Sequence, residues 1–268
     1  MSEKKDVVEN KRESKNSVHT YEYGDIEVLF FSSNHEFPLH SHESWCIGLV
    51  LDGEVKFTIN GLEYITSRNH LFLIPSNTGV QINPINNKKY TYVTICIKNE
   101  SRKYFSQMEY NQYVIKLLNC GVFMEGIYDF MWTKKEQPLL DILQQLIKPL
   151  ICVDSLEKKH SISEPVSKAI TYMREHANGK FDLDVLAQNA YVSKYHLVRQ
   201  FKKEMGVSPH QYFLQTKIRI AKQGILENKS ELELASELNF SDQSHLCRQF
   251  KQMMGVSIQD YKKNAKKR

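Results

Sequence analysis

Between residues 20 and 100, apolar and polar side chains alternate along short segments that turn residues separate. A period of two is typical of strands with one buried face, and short strands at close spacing are typical of a small antiparallel barrel or jelly roll. The Asn60-Gly61 pair predicts a two-residue hairpin turn. The pattern predicts six strands, at residues 26–31, 46–51, 54–59, 62–66, 71–74 and 90–97.

The period becomes helical over residues 101–154. An apolar face there comprises Leu139, Leu140, Ile142, Leu143, Leu146, Ile147 and Leu150. Such a stripe usually packs into a core, and packing against a second subunit, which would make this a dimerisation segment, is the alternative. Residues 155–166 are polar and charged and contain Pro165, so we expect a linker there.

Residues 167–264 are predicted to be all-helical. Polar residues that can cap a helix N-terminus stand at Asp182, Ser193, Ser230 and Ser241. The predicted helices span residues 166–176, 182–190, 193–205, 209–227, 231–238 and 241–254. The chain is therefore predicted to be an α+β multidomain protein, with an N-terminal β-barrel plus helices and a C-terminal all-α domain.

A block at residues 193–208 returns at residues 241–257. Each copy follows a short apolar helix and a tight turn, which together make a helix-turn-helix unit, at about residues 183–205 and 231–254. The recurring residues are His196, Leu197, Arg199, Gln200, Phe201, Lys202, Met205, Gly206, Val207, Ser208 and Tyr212, with the counterparts His245, Leu246, Arg248, Gln249, Phe250, Lys251, Met254, Gly255, Val256, Ser257 and Tyr261. Two such units on one chain can read two stretches of DNA major groove.

Projection at about 100° per residue separates two faces on the second helix of each unit. Leu197, Phe201 and Glu204 fall on the inward face of the first unit, and Leu246 and Phe250 fall on that of the second. The residues predicted to face DNA are Lys194, Tyr195, Val198, Arg199 and Lys202 in the first copy and Gln243, Ser244, Cys247, Arg248 and Lys251 in the second. The inward sets agree between the copies and the outward sets differ, which indicates one scaffold reading two different half-sequences.

The outward side chains have the chemistry of base and phosphate contacts. Arginine can bind guanine O6 and N7 with two hydrogen bonds, and glutamine can do the same for adenine. Tyr195 and Val198 could contact thymine methyl groups, while Lys202 and Lys251 suit phosphates. A helical bundle whose cations are simply solvated is the alternative, and the paired arrangement favours nucleic acid.

Residues 167–264 resemble the DNA-binding domain of the AraC/XylS family of transcription regulators. The matching signature runs from Ala235 to Ser257, and the first copy follows it more loosely. The resemblance implies two helix-turn-helix units, joined by a long helix, that enter successive major-groove segments on one face of promoter DNA. By position it nominates Tyr195, Val198 and Arg199, then Gln243, Ser244 and Arg248. It also implies an activator that works with RNA polymerase.

Three positions depart from the family pattern. The turn glycine of each unit is Tyr191 in the first copy and Asn239 in the second. Asparagine tolerates a positive φ and tyrosine does so at some cost, so we expect the first turn to differ in geometry. Ile258 replaces the proline usual after the second unit, which should matter little to DNA reading.

Residues 37–43 (FPLHSHE) resemble the first motif of cupin barrels, and the later residues 51–53 and 74–75 continue the pattern of the family's sensor barrels. His40 and His42 project to the same side if they lie on one strand, as metal ligands would. However, Glu43 follows His42 directly and residues 75–81 contain no histidine, so the metal set of a cupin enzyme is incomplete. We therefore expect no metal, no cofactor and no enzyme activity.

We expect His40 and His42, with Trp45 and Tyr64 nearby, to bind a small polar effector in a cupin-like sensor barrel at residues 20–100. Two alternatives remain at this point. The N-terminal half could be a metal-dependent oxygenase or isomerase tethered to DNA, or a module that only dimerises or docks a protein partner.

Composition and charge fit this organisation. The chain has 268 residues, 41% of them hydrophobic and 25% charged, and contains no apolar run long enough for a membrane span. Residues 165–268 carry 18 Lys and Arg against 10 Asp and Glu, so the excess positive charge lies in the helical half. Residues 1–19 read as a disordered polar tail without a secretory signal. The five scattered cysteines are typical of reduced thiols, which indicates a cytoplasmic protein. Buried small apolar residues are the expected role for most of them, and a redox sensor is the alternative.

Overall fold

The computed structural model describes residues 16–98, 101, 105, 113–117, 120–148 and 162–267. Its N-terminal half contains two β-sheets and two helices, and its C-terminal half is helical. The predicted fold class is confirmed. The strands are β1 Ser17–Tyr23, β2 Ile26–Ser33, β3 Phe37–Ser41, β4 Trp45–Asp52, β5 Val55–Ile59, β6 Leu62–Thr66, β7 His70–Ile74, β8 Gly79–Pro84, β9 Tyr90–Ile97, β10 Val114–Lys116 and β11 Ala265–Lys267.

The helices are α1 Gly121–Thr133, α2 Glu136–Ile147, α3 Glu164–Glu175, α4 Leu183–Asn189, α5 Lys194–Met205, α6 Pro209–Leu226, α7 Glu231–Glu237, α8 Gln243–Met254 and α9 Ile258–Asn264. One sheet has seven strands in the order β10-β7-β4-β9-β2-β1-β11, and the other has four in the order β3-β8-β5-β6. All ladders are antiparallel except the pairing of β11 with β1, through which the end of the chain joins the N-terminal sheet.

All six strands predicted from alternation are present, and the hairpin at Asn60-Gly61 joins β5 to β6. The pattern missed β8, in which Val80 and Ile82 are buried while Gln81 and Asn83 are only half-buried. It also missed β10, which adds to the edge of β7 inside the segment that was predicted to be helical over residues 101–154. The three residues of β10 form a strand because the edge of β7 offers backbone N–H and C=O groups for pairing.

The disordered tail was predicted to extend to residue 19, but β1 already begins at Ser17 and its Val18 is buried. Val18 lies opposite Phe31 in the β1–β2 ladder, and burial of both side chains explains why the strand extends into this polar region. Residues 1–15 lie outside the described residues, as do most of the residues predicted as linker, 155–161.

Three apolar clusters hold the molecule together. In the first, one face of the seven-stranded sheet packs against α1 and α2, whose Leu139, Leu143 and Ile147 are buried. The predicted apolar face is therefore core as far as Ile147, while Leu150 lies outside the described residues. A second cluster fills the space between the two sheets and continues without a break into α6, α7, α8 and α9. The third lies among α3, α4, α5 and α6.

Candidate nucleic-acid interface

The two helix-turn-helix units are built in the same way. Asp182 caps α4 by accepting hydrogen bonds from two backbone N–H groups, and Ser193 caps α5. In the second unit Ser230 forms a capping box with Glu233 at the start of α7. These caps agree with the sequence predictions, so the first helix of each unit and α5 are defined by local chemistry.

The cap of α8 differs from the prediction. Asp242, rather than Ser241, accepts the hydrogen bond from the His245 N–H, at 2.7 Å, and α8 begins at Gln243. The repeat itself contains the signal, because His196 corresponds to His245 and the same offset places Ser193 opposite Asp242. Ser241 instead donates from its hydroxyl to the Asp242 carboxylate at 3.0 Å.

The turn between the two helices has the same geometry in both units. Tyr191 has φ of 57° and Asn239 has φ of 52°, both in the left-handed region. The next residue donates its N–H back to the first helix in each case, from Val192 to the Ala187 carbonyl and from Phe240 to the Ala235 carbonyl. The expectation of a different first turn was wrong, because tyrosine adopts the strained conformation that the unit requires.

The inward residues of α5 and α8 form matching cores. Leu197, Phe201, Leu246 and Phe250 have no exposed surface. Phe201 packs on the Tyr212 ring with centroids 5.4 Å apart, and Phe250 packs on the Tyr261 ring at 5.6 Å. Repeated residues therefore maintain the packing of each unit.

The outward residues lie on the surface as a group. Tyr195 is 80% exposed. Val198 and Cys247 are half-buried, and the other members are exposed, namely Lys194, Arg199, Lys202, Gln243, Ser244, Arg248 and Lys251. Each of the two helices thus presents a polar and basic surface away from its own core.

Two acidic residues restrain the starts of these helices. Asp184 of α4 pairs with Lys194 at 2.8 Å. Glu231 of α7 accepts hydrogen bonds from Gln243 at 2.7 Å and from the Cys247 thiol at 3.4 Å. Burial, with this carboxylate beside it, raises the pKa of Cys247 to about 11, so the thiol is neutral at physiological pH. A ligand at the start of α8 would compete with Glu231 for Gln243.

The two halves of the chain are joined by ion pairs centred on two glutamates of the barrel. Glu43, between β3 and β4, contacts Arg174 at 3.0 Å and Arg219 at 3.2 Å, and accepts a hydrogen bond from the Tyr212 hydroxyl at 2.6 Å. Burial raises the pKa of the Glu43 carboxyl, but Arg219, the Tyr212 bond and Arg174 outweigh it and hold that pKa below its usual value. The carboxylate is therefore charged at neutral pH.

Glu27 of β2 is the second glutamate and is almost completely buried. It pairs with Lys222 of α6 and, at 3.1 Å, with Lys98 of the barrel. Burial opposes the charge of Glu27, yet these two cations lower the pKa of the carboxyl, and Glu27 in turn raises the pKa of Lys222 against its own burial. A buried pair of this kind is strongly destabilised when one partner is removed.

Backbone also meets backbone at the junction. A Cβ added to Gly79 of β8 would lie 2.7 Å from the carbonyl oxygen of Gly206, which ends α5. A Cβ on Gly255, which ends α8, would lie within 2.9 Å of the Phe31 and Phe37 rings. Both units therefore touch the barrel at the C-terminal end of their second helix, where only glycine leaves room.

The structure separates the four residues that the sequence nominated for an effector. His40 and His42 are close, with ring centroids 4.9 Å apart. Trp45 lies on the face of the seven-stranded sheet that packs on α1 and α2, where its ring contacts Phe105. Tyr64 stands on β6, three strands from β3, which is about 14 Å at the usual strand spacing. Only the two histidines therefore share one location.

His40 lines a cavity of about 110 Å³ between β3 and helices α6 and α8. Amide side chains surround it from the helical half, including Gln211 and Gln215. Burial, together with His42, lowers the pKa of His40 to about 3, so its ring is neutral and accepts or donates hydrogen bonds. Among the residues that the structure describes, no group of three His, Cys, Asp or Glu side chains is arranged to hold a metal.

Comparison with protein families gives two matches. A family model of an AraC-like ligand-binding domain matches residues 23–169, more than half of the chain, and a helix-turn-helix domain model matches residues 186–264. No helix in the described part of the chain has the length and apolar character to cross a bilayer.

Two curated relatives are transcription regulators by name. The chain is 25% identical over 203 residues to the uncharacterized HTH-type transcriptional regulator YbfI of Bacillus subtilis, covering 70% of this chain and 73% of that protein. It is 28% identical over 96 residues to the probable transcriptional regulator LumQ of Photobacterium leiognathi, covering 36% and 38% of the two.

Among solved structures, apo ToxT from Vibrio cholerae has a similar fold, with a TM-score of 0.62 and 11% identity over 90% of this chain and 97% of that one. ToxT with a bound unsaturated fatty acid superposes with a TM-score of 0.58 and 11% identity, over 90% and 96% of the two chains.

Proposed function

Because this chain belongs to the AraC family of transcription regulators, we propose that α5 and α8 read two adjacent major-groove segments of one promoter. The single observation that supports this is that the buried residues of α5 and α8 match, while outward residues at equivalent positions differ, as at Tyr195 and Ser244 or at Val198 and Cys247. Arg199 and Arg248 are the proposed base readers, while Lys202 and Lys251, one turn further along, bind phosphates. Tyr195 and Val198 read the first segment with Arg199, and Gln243 and Ser244 read the second.

Footprinting on promoter DNA tests this proposal. The full chain should protect two segments whose centres lie about 34 Å, or one helical turn, apart on one face of the duplex. A single protected segment, or protection that is uniform along any DNA, would contradict it. Lys56→Ala is a suitable control for the loss of one positive charge in Arg199→Ala or Arg248→Ala, because Lys56 lies on the barrel and pairs with Glu63 at 2.9 Å.

We further propose that the protein activates transcription in the cytoplasm by contacting RNA polymerase, without any catalytic step of its own. The resemblance to the AraC/XylS family, which implies an activator, supports this, as does a relative that is a transcriptional regulator by name. In a purified transcription assay the full chain should increase transcript from a promoter that carries both segments. Repression, or no change at saturating protein, would overturn the activator assignment.

For the effector we propose the cavity beside His40, because it is lined by both halves and by groups that bind a small polar molecule. ToxT, which has the same fold, binds a fatty acid, and this supports a small-molecule role for the N-terminal half. A ligand found in a thermal-shift panel should lose its stabilising effect in His40→Ala and keep it in His70→Ala. A stabilising effect that is kept in full in His40→Ala as well would place the site elsewhere.

A homodimer is proposed across α1. Val122, Tyr128 and Trp132 share one arc of this helix and are 46%, 57% and 88% exposed. Exposed apolar groups of this size commonly mark an interface. Sedimentation at increasing concentration should show a dimer that Trp132→Ala weakens, whereas a monomer at all concentrations would remove this proposal.

A further inference from the structure

Two cysteines face each other inside the barrel. Cys46 of β4 and Cys96 of β9 are directly opposite in the antiparallel ladder. Both are buried, and their Sγ atoms are 3.3 Å apart. The spacing in the sequence gives no sign of this pair, because 49 residues separate the two positions and only the strand register brings them together.

The geometry is close to that of a disulfide. Directly opposed residues of antiparallel strands have Cα atoms about 4.5 to 5.5 Å apart. A disulfide spans Cα distances of about 4.4 to 6.8 Å, with an S–S bond of about 2.0 Å. The sulfur atoms therefore have little more than 1 Å to close, which rotation of the two side chains can supply.

The surroundings make one of the thiols a nucleophile. The hydrogen bond between the two thiols is the largest cause that holds the pKa of Cys46 well below its ordinary value, and His42 and Ser44 add to it against the effect of burial. The same hydrogen bond and burial raise the pKa of Cys96 well above its ordinary value. Since the thiolate is the reactive form, Cys46 attacks first and Cys96 resolves.

We propose that Cys46 and Cys96 are a reversible modification site, at which hydrogen peroxide or a similarly small peroxide converts two thiols into one disulfide within the chain. The Cys46 thiolate attacks one peroxide oxygen, the O–O bond breaks, and hydroxide leaves a sulfenic acid on Cys46. That hydroxide takes the proton of Cys96.

Burial lowers the pKa of His42, but the neighbouring Cys46 raises it above its ordinary value, so His42 holds the proton that Cys46 has given up. The Cys96 thiolate then attacks the Cys46 sulfur, the S–O bond breaks, and the second hydroxide takes this proton from His42. Two thiols have lost two electrons and two protons, and the peroxide has become two waters. A thiol reductant reverses the change by exchange.

Burial sets which oxidants this site accepts. The residues Cys46 and Cys96 are only 2% and 7% exposed. A small neutral oxidant can reach them through brief local openings, whereas a bulky one such as glutathione disulfide needs a larger opening. The other two described thiols have other partners, since Cys120 donates to Asn69 and Cys247 donates to Glu231.

The site lies next to the junction of the two halves. Cys96 is directly opposite Glu27 in the ladder between β9 and β2, and Glu27 holds Lys222 of α6. Oxidation removes the thiolate charge beside this ion pair. Any effect on promoter binding rests on the proposed function, but formation of the disulfide does not.

Peptide mapping of the reduced full chain after titration with hydrogen peroxide tests the proposal. After alkylation of free thiols and tryptic digestion without reductant, residues 16–56 should appear linked to residues 90–98, each of which contains one cysteine. The thiol content should fall by two from the five of the reduced chain and return with dithiothreitol. Recovery of both peptides alkylated, or links to other cysteines, would overturn the proposal.

Variants sharpen the result. Cys46→Ser and Cys96→Ser should each abolish the linked species, while Cys120→Ser and Cys247→Ser should leave it unchanged. The wild-type map decides the question even if a barrel variant fails to fold. Glutathione disulfide should give no mixed disulfide at Cys46, and finding one would contradict the enclosed site. Because this assay contains no DNA, its failure is distinct from a failure of promoter binding.

Discussion

The two helix-turn-helix units share an inner design but differ in what surrounds them. Phe201 of the first unit lies in a cluster formed almost entirely by the helical half, to which the barrel adds only Leu39. Phe250 of the second unit lies in the cluster that also fills the barrel, with Phe31 and Phe37. The first unit meets the barrel mainly through backbone, at Gly79 and Gly206.

This difference teaches that the second unit and the barrel are one packed body. A change inside the barrel therefore reaches α8 directly, through side-chain packing. It reaches α5 chiefly through α6, which contributes residues to the cluster around Phe201 and to the cluster around Phe250. The ion pairs of α6 with Glu27 and Glu43 reinforce the same path. Coupling of this kind is what a sensor domain needs in order to alter DNA binding.

The largest expected effect comes from truncating the two equivalent phenylalanines. Phe201→Ala and Phe250→Ala should each lower the free energy of unfolding by about 3–5 kcal/mol, because both side chains are fully buried. The two tryptophans, Trp45 and Trp132, lie in the N-terminal half, so tryptophan fluorescence follows the barrel and circular dichroism follows mainly the helices.

In urea, Phe250→Ala should move the fluorescence and dichroism midpoints together. Phe201→Ala should move the dichroism midpoint more than the fluorescence midpoint. Equal shifts by both probes in both variants would show that the two units are coupled to the barrel to the same degree.

The ion pair across the junction should give the next largest effect. Lys222→Met leaves Glu27 buried with only Lys98, which should cost about 3 kcal/mol at neutral pH. Because the folded-state pKa of Glu27 lies below the unfolded value of 4.5, this stabilisation is present above pH 4.5 and is lost as the pH falls through the lower, folded pKa.

Urea midpoints of the variant and the wild type should therefore converge as the pH falls through the folded pKa of Glu27. Lys229→Met is the matched control, since its pair with Glu237 is exposed, and it should leave the midpoint unchanged. A deficit for Lys222→Met that persists undiminished in acid would mean that the loss is not electrostatic.

The smallest effect concerns the two turns. Tyr191→Gly should raise stability by about 1 kcal/mol, because glycine adopts a positive φ without strain and the tyrosine side chain is 81% exposed, with Lys168 as a cation–π partner. Asn239→Gly should gain less, since asparagine already tolerates this conformation. Thermal unfolding of both variants measures the difference, and a larger gain at Asn239 would refute the strain at Tyr191.

Much of this architecture could be predicted from local patterns. Alternation located six strands, and the repeat located both helix-turn-helix units with their inner faces. The repeat also contained the cap at Asp242, which local preference for serine at position 241 obscured. The strained turn at Tyr191 was misjudged because tertiary packing of the unit overrides the preference of one residue.

What could not be predicted depends on contacts distant in the chain. Glu27 and Lys222 are far apart in sequence, and no local pattern indicates that they pair in the interior. The separation of the four residues nominated for an effector could not be foreseen for the same reason: Trp45 points to the face of the seven-stranded sheet that packs on α1 and α2, and Tyr64 stands on a distant strand. The register that places Cys46 opposite Cys96 is likewise a property of the whole sheet.

The central claim is that two alike helices read two different sequences, and base-specificity profiles of Arg199→Ala and Arg248→Ala test it most directly. Selection from random duplexes should show that each variant loses preference at one segment only, a different one for each, with a loss of about 1–3 kcal/mol for the native promoter. Profiles that stay identical to wild type, or that relax at both segments together, would contradict the account.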